Sequence, residues 1–290
     1  MYKCIDSGID FEKFDNTPFK FSHKILNHKA LSIESLSKAL PRMPKGHVKY
    51  SKGFDDIGGD FDNAETTHKN NLTLKETIEN IKTSNSYITV NRAEVDPSFK
   101  ELYDDLIEDA ERMMKLKGVG TKALVPKIFL FIASPGAFTP FHLDRHTTFL
   151  FQMRGSKQVA VFPQFNPKVV EPTQRECYAD YGGLDLTWSE EMDQYAYKFD
   201  FAPGEGIHIP FISGHYVKNG TEDVSISMSI IFRTKQSQTW LDAMGFNNRL
   251  RKHFAKLGIR LKAIGTKGSL DRLKAFLFPV VDKLTELRKS

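Results

Sequence analysis

Apolar and polar positions along this chain follow two periods, and the change between them falls near Ala123. Upstream, the helical spacing dominates. Leu31, Ile33, Leu36 and Leu40 predict a short amphipathic helix. Thr73 and Glu76 form a capping box ahead of Ile78 and Ile81. Asp96-Pro97 opens a longer helix, with Asp as cap and Pro at the first helical position. Phe99, Leu102, Leu106, Ala110 and Met113 mark its buried stripe. Tyr87 to Asn91 is the β-rich exception, and the polar, Gly- and Asp-rich stretch from Gly46 to Asn71 reads as a long loop. Its acidic cluster, Asp55, Asp56, Asp60 and Asp62, lacks the spacing and closing Glu of a calcium loop and reads as solvated.

From Ala123 to about Arg233 the period shortens to that of strands. Lys127 to Ala133 is a nearly continuous apolar run that ends at the turn Ser134-Pro135-Gly136. Thr148 to Arg154 and Gln158 to Phe162 are strands joined at Gly155-Ser156. Tyr195, Tyr197, Phe199 and Phe201 alternate, and Pro203 to Gly206 turns into Ile207 to Ile209. Asn219-Gly220 carries a hairpin signal. Val224, Ile226, Met228 and Ile230 then alternate with Ser225, Ser227 and Ser229. Beyond Arg233 helices return: one beginning at Trp240, Leu241 and Met244, another at Leu250, Phe254 and Leu257. A last one carries Leu270, Leu273, Leu277, Val280, Leu284 and Leu287, with a kink or break at Pro279. The predicted fold is mainly β with helical extensions. Residues 1–120 form an N-terminal, helix-rich α/β extension on the core, and 121–235 a sandwich or barrel of the jelly-roll kind, which includes the cupins. Residues 236–290 form a C-terminal helical region.

Composition changes this picture little. Hydrophobic residues make up 40% and charged residues 27% of 290, which is ordinary globular chemistry. Cys4 and Cys177 match no disulfide framework or metal-binding spacing and suit reduced thiols in the cytoplasm. No basic-then-apolar leader is visible, and no apolar run is long enough for a bilayer span, so no membrane partner is expected. Charge is uneven. Twelve Lys/Arg against three Asp/Glu lie between Asn247 and Ser290, a basic region that favours a solvated helix face over a nucleic-acid contact.

The chemistry concentrates in Thr139-Pro140-Phe141-His142-Leu143-Asp144. Residues two apart on a strand share a face, so His142 and Asp144 aim an imidazole and a carboxylate together. His215 follows the turn Ser213-Gly214 and supplies a third ligand. Two His and one carboxylate on one face of an octahedron leave three positions open, as in non-haem iron oxygenases. His146 reads as a rim or substrate contact, His208 as a surface or internally satisfied histidine, and Glu205 as a turn residue. Phe129, Phe131, Phe149 and Phe151 read as packing rather than a stacking platform. No nucleophile elbow, P-loop or dinucleotide fingerprint appears.

Two runs carry a family resemblance: "IFLFIASPGAFTPFHLDRHTTFLFQMRGSKQVAVFP" from Ile128 and "FDFAPGEGIHIPFISGHYVKNGTEDVSISMSIIF" further on. Together they resemble the JmjC-type, cupin-like protein hydroxylases. The first shares that family's His-x-Asp strand, Gly-x-Lys turn and Phe-Pro end; the second shares the strand ending in Pro before the second iron His. The resemblance implies a double-stranded β-helix core, with Fe(II) on His142, Asp144 and His215, and with 2-oxoglutarate and O2 as cosubstrates. It implies hydroxylation of a C–H bond in a peptide, protein side chain or small molecule, releasing succinate and CO2. It also implies that Lys157 and Thr139 bind the distal carboxylate of 2-oxoglutarate, and that C-terminal helices build a homodimer. The sequence departs from the family where some members line this pocket with Asn: the matching places here are Thr148 and Ser229. Tyr87 is the candidate for a tyrosine given by the N-terminal region. Two readings stay open beside this one: a non-catalytic, ligand-binding or regulatory cupin, and a cupin enzyme using Zn or Mn without 2-oxoglutarate.

Overall fold

A computed structural model describes residues 2–6, 9–58, 64–183, 186–265 and 267–286. Asp60, Asp62 and Leu287 lie outside the described residues. In chain order the elements are β1 (Phe19–Ser22), α1 (Ile33–Ala39), β2 (Val48–Lys52), α2 (Ala64–Thr67), α3 (Leu74–Glu79), β3 (Ser86–Asn91) and α4 (Lys100–Lys117). β4 (Leu124–Ala133), β5 (Phe138–His142), β6 (Thr147–Arg154), β7 (Lys157–Val161) and α5 (Pro172–Ala179) follow. β8 (Tyr197–Phe201), β9 (Glu205–Ile209), β10 (His215–Asn219), β11 (Ser225–Arg233), α6 (Lys235–Lys256) and α7 (Gly268–Glu286) complete the chain. Among the described residues no helix is long and apolar enough to cross a membrane.

The strands form two antiparallel sheets, one in the order β1-β9-β6-β11-β4-β3-β2 and the other β5-β10-β7-β8. From β4 to β11 the chain steps repeatedly between them, which makes a jelly-roll core with helical extensions. This stepping corrects the hairpin reading of Asn219-Gly220. β10 pairs with β5 and β7, while β11 pairs with β4 and β6, so the turn carries the chain across the sandwich. Gly155-Ser156 does the same between β6 and β7. Gly155 sits at φ 69, and a Cβ there would meet the Val224 carbonyl oxygen at 2.7 Å, so the crossing needs a bare backbone.

Period-two patterning assigns the two faces of the large sheet. Ile128, Leu130, Phe149, Phe151, Met228 and Ile230 pack under Leu102, Leu106 and Met113 of α4 and Leu36 of α1. Each is a large apolar side chain removed from water, worth roughly 1.5–3 kcal/mol. The opposite face, with Leu150, Ile207 and Ile209, meets Val159, Val161 and Val217 of the small sheet. The small sheet's outer face, with Phe141, Phe162 and Tyr216, is covered by Leu241 and Met244 of α6.

Several boundaries differ from the sequence reading. The stretch from Gly46 to Asn71 holds β2, an edge strand paired with β3, and the short α2. Val48 and Tyr50 alternate there over only a few residues, too briefly to stand out from the polar flanks. The segments at Trp240 and Leu250 are one continuous helix, α6, capped by Thr234. α7 runs through Pro279 without ending. Two of the C-terminal basic residues are internally paired. Arg249 meets Asp180 and Asp282, and Arg251 meets Glu176.

Candidate metal and cosubstrate site

β5 and β10 place the three candidate ligands. His142 ends β5 and stands opposite His215, the first residue of β10, with ring centroids 4.1 Å apart. Asp144 lies two residues past the strand end rather than on it, anchored where its carbonyl accepts the Ile212 N–H at 3.0 Å. Its Oδ2 is 3.7 Å from His215 Nε2. One ligand atom from each of the three lies within 4.8 Å of the others. His142 Nδ1 donates to the Pro140 carbonyl at 2.8 Å, and His215 Nδ1 to the Ser213 carbonyl at 3.1 Å. A carbonyl can only accept, so both rings carry their proton on Nδ1 and present Nε2 as a lone pair. Burial, with His142 beside it, pushes His215 down to about 4, so it is neutral, as a ligand must be.

All eight residues singled out by the sequence line one cavity of about 290 Å³ between the sheets: His142, Asp144, His215, Thr139, Lys157, Thr148, Ser229 and Tyr87. Lys157 is 4% exposed and donates to Ser227 Oγ at 2.8 Å. No carboxylate pairs with it among the described residues, and burial pushes its ammonium down to about 7. Tyr87 O–H and Thr139 Oγ1 are hydrogen-bonded at 3.0 Å. Thr148 Oγ1 is buried with no hydrogen-bond partner among the described residues. A cation and a hydroxyl left short of partners among the described residues, beside two imidazoles and a carboxylate, fit a divalent metal and a dicarboxylate.

Other residues move from their sequence reading. Phe129 and Phe131 line the cavity, whereas Phe149 and Phe151 are fully buried in the helix-covered core. β4 turns its odd-numbered residues to the cavity, and a continuous apolar run hides that alternation. His208 is a core histidine rather than a surface one: its Nδ1 meets the Thr148 carbonyl at 3.1 Å, and its Nε2 accepts the Asp15 N–H at 2.9 Å. Glu205 starts β9, where it pairs with Lys20 and accepts the Ala202 N–H. His146 lines the cavity but stands outside the ligand set. Sequence reasoning missed Ser227, Lys127, Arg145 and Tyr178. The serine alternation on β11 was the available signal for the first.

A family model described as a cupin-like domain matches residues 27–238. The chain belongs to the cupin-like domain family. In fold this cupin-like chain is similar to ycfD of E. coli, at 15% identity and a TM-score of 0.52, over 97% of this chain and 69% of that one. YcfD, a ribosomal oxygenase from Escherichia coli, solved in complex with cobalt and 2-oxoglutarate, aligns at 14% identity and a TM-score of 0.48, over 92% of this chain and 61% of that one. No curated protein matches the sequence. The cupin-like part of the resemblance read from the two motif-bearing runs therefore holds at the level of family, and the fold agrees with it.

Proposed function

We propose that this cupin-like chain is an Fe(II)- and 2-oxoglutarate-dependent dioxygenase. It hydroxylates a C–H bond of a peptide, protein side chain or small molecule and releases succinate and CO2. One observation carries the reading: the facial set of His142, Asp144 and His215 shares its cavity with a buried lysine that has no carboxylate partner among the described residues.

The metal, with 2-oxoglutarate and O2, supplies the oxidising power. The chain does the rest. His142 and His215 offer Nε2 lone pairs because their Nδ1 protons are committed to carbonyls. Asp144 brings the single negative charge. Lys157, steered by Ser227, pairs with the distal carboxylate of the cosubstrate, a charge-assisted bond of about 1.5–3 kcal/mol. Thr139, held by Tyr87, supplies a second polar contact, and Thr148 and Ser229 add hydroxyls from the large sheet. Phe129, Phe131, Leu150 and Ile209 keep water from the reacting centre.

The test is an anaerobic titration with Fe(II) and then 2-oxoglutarate, read by the visible charge-transfer band of a chelated 2-oxoacid. We expect a band in wild type, none in Asp144→Ala, and about a hundredfold higher cosubstrate requirement in Lys157→Ala. Iron-loaded, folded wild type without a band would point to another metal chemistry. Failure to bind iron would point to a non-catalytic cupin.

The proposal includes a homodimer through α7, in a reducing cytoplasm that keeps Cys4 and Cys177 as free thiols. Leu273, Phe276, Val280 and Leu284 recur at helical spacing on α7 and are 53–77% exposed in the single chain. Phe276→Asp should convert a dimer to a folded monomer by sedimentation; a wild-type protein with the mass of one chain removes the dimer.

A further inference from the structure

The cavity holds cations at two depths, and sheet register separates them. Lys127, Ile231, Thr148 and Ile209 stand opposite one another across β4, β11, β6 and β9 and form one row. Phe131 and Ser227, the partner of Lys157, form a row four residues deeper along β4. At about 3.3 Å per residue the rows lie about 13 Å apart. Lys127 therefore belongs to the mouth and Lys157 to the floor.

Lys127 makes no hydrogen bond or ion pair among the described residues, yet lines the cavity. Arg145 lines it too. Its guanidinium carbon lies 3.8 Å from the Tyr178 ring centroid and 4.6 Å from that of Tyr181. Both rings lie within cation–π reach of it, and its Nε donates to the Tyr178 carbonyl at 2.7 Å. What remains is the in-plane pair of terminal nitrogens, a fork suited to two oxygens. Arg233, two residues beyond cavity-lining Ile231, has a buried Nε with no partner. Arg233, Lys127 and Arg145 all lie near enough to His146 to oppose a proton on it. Among the described residues the acids near this cluster are Asp144, committed to the metal, Asp242, which accepts from Gln238 and lies near Arg233, and Glu94, which accepts the Ile128 N–H beside Lys127 and lies near Arg92.

We propose that the substrate presents a carboxylate, held at the cavity mouth by Lys127 and the fork of Arg145. This deepens the oxygenase reading and rests on it. A divalent ion, Asp144, Lys157 and a doubly charged 2-oxoacid cancel in charge, which leaves Lys127 and Arg145 uncompensated until an anionic substrate arrives. Held by two ring contacts and the Tyr178 carbonyl, Arg145 pays little conformational entropy on binding.

The experiment uses the whole chain loaded anaerobically with Fe(II) and 2-oxoglutarate. The probes are N-acetyl-glutamate N-methylamide and its glutamine counterpart, with binding followed by calorimetry and cosubstrate occupancy by the charge-transfer band. The glutamate probe should bind at least about tenfold more tightly, without displacing the band. Lys127→Gln and Arg145→Gln should each erase most of that preference, and Lys127→Arg should keep it. Because Arg145 neighbours Asp144, the Lys127 pair decides the matter if Arg145→Gln loses iron. A glutamate probe no better than glutamine, with the band intact, overturns the carboxylate site and leaves the oxygenase standing. No band in wild type overturns the oxygenase reading; a glutamate preference that Lys127→Gln still removes would then support an anion site in a different chemistry.

Discussion

His208 and His215 stand at corresponding depths of burial on opposite sheets, and they have become different things. Both are nearly inaccessible, and burial pushes both far down, to about 3 and about 4. His208 packs among Phe14, Phe19 and Phe149 with both ring nitrogens engaged, one by the Thr148 carbonyl and one by the Asp15 amide. His215 has one nitrogen engaged by Ser213 and the other turned toward Asp144 and His142. The contrast separates a structural imidazole from a candidate ligand by an unspent lone pair, not by burial or neutrality. Asp15 extends the His208 region: its carboxylate gathers the Phe211 amide and the Thr147 and Thr234 hydroxyls, joining the N-terminal segment, β6, the loop after β9 and the cap of α6.

The largest effect expected is a double dissociation. His215→Ala should abolish metal binding by calorimetry and change the stability of the metal-free protein by less than about 1 kcal/mol. His208→Ala should keep metal binding and cost about 3 kcal/mol in denaturant unfolding, from lost ring packing and an orphaned Asp15 amide. Loss of metal from a folded His208→Ala protein would break the distinction.

Acid sharpens it. His208 has a folded pKa below its unfolded value, so the unfolded chain binds more protons between them. The stability it contributes is complete above about pH 6.5 and is lost as pH falls toward 3. By pH 5 the loss should reach about 2 kcal/mol. Asp15, raised to about 6 by burial, works the opposite way over part of that range. The comparison is therefore wild type against His208→Gln, whose unfolding should lose the extra acid sensitivity.

Lys157 supplies a gentler pH effect on the cavity side. Its ammonium, pushed down to about 7, loses its proton as pH rises beyond that value in the cosubstrate-free protein. Apparent 2-oxoglutarate affinity should fall above pH 7 by up to about tenfold per unit, and Lys157→Arg should flatten the profile. The smallest effect belongs to Thr148→Val. Its hydroxyl is buried without a hydrogen-bond partner among the described residues, so stability should rise or fall by less than about 0.5 kcal/mol while cosubstrate affinity weakens a few-fold.

The same contrast explains what the sequence could disclose. His-x-Asp with a distant His was readable as a candidate ligand set from its donor chemistry, although Asp144 lies past the strand rather than on it, and the alternation of Val224 to Ile230 against serines was readable as two faces. Alternation does not say which sheet a strand joins. Asn219-Gly220 therefore looked like a hairpin, although its turn spans the sandwich. The partner of His208 lies 193 residues away at Asp15, and that of Lys157 lies 70 away at Ser227, separations at which no local pattern operates. Lys127 opened a run read as nearly continuously apolar, so its place in the cavity lining stayed hidden.

The protons on His142 and His215 are held by main-chain carbonyls two residues earlier, at Pro140 and Ser213. Every residue type carries that carbonyl. The tautomer that prepares each ring for a metal is consequently insulated from side-chain change around it. Under the proposed function, substitutions in the mouth, floor and walls of the cavity leave the presentation of the two rings to the backbone.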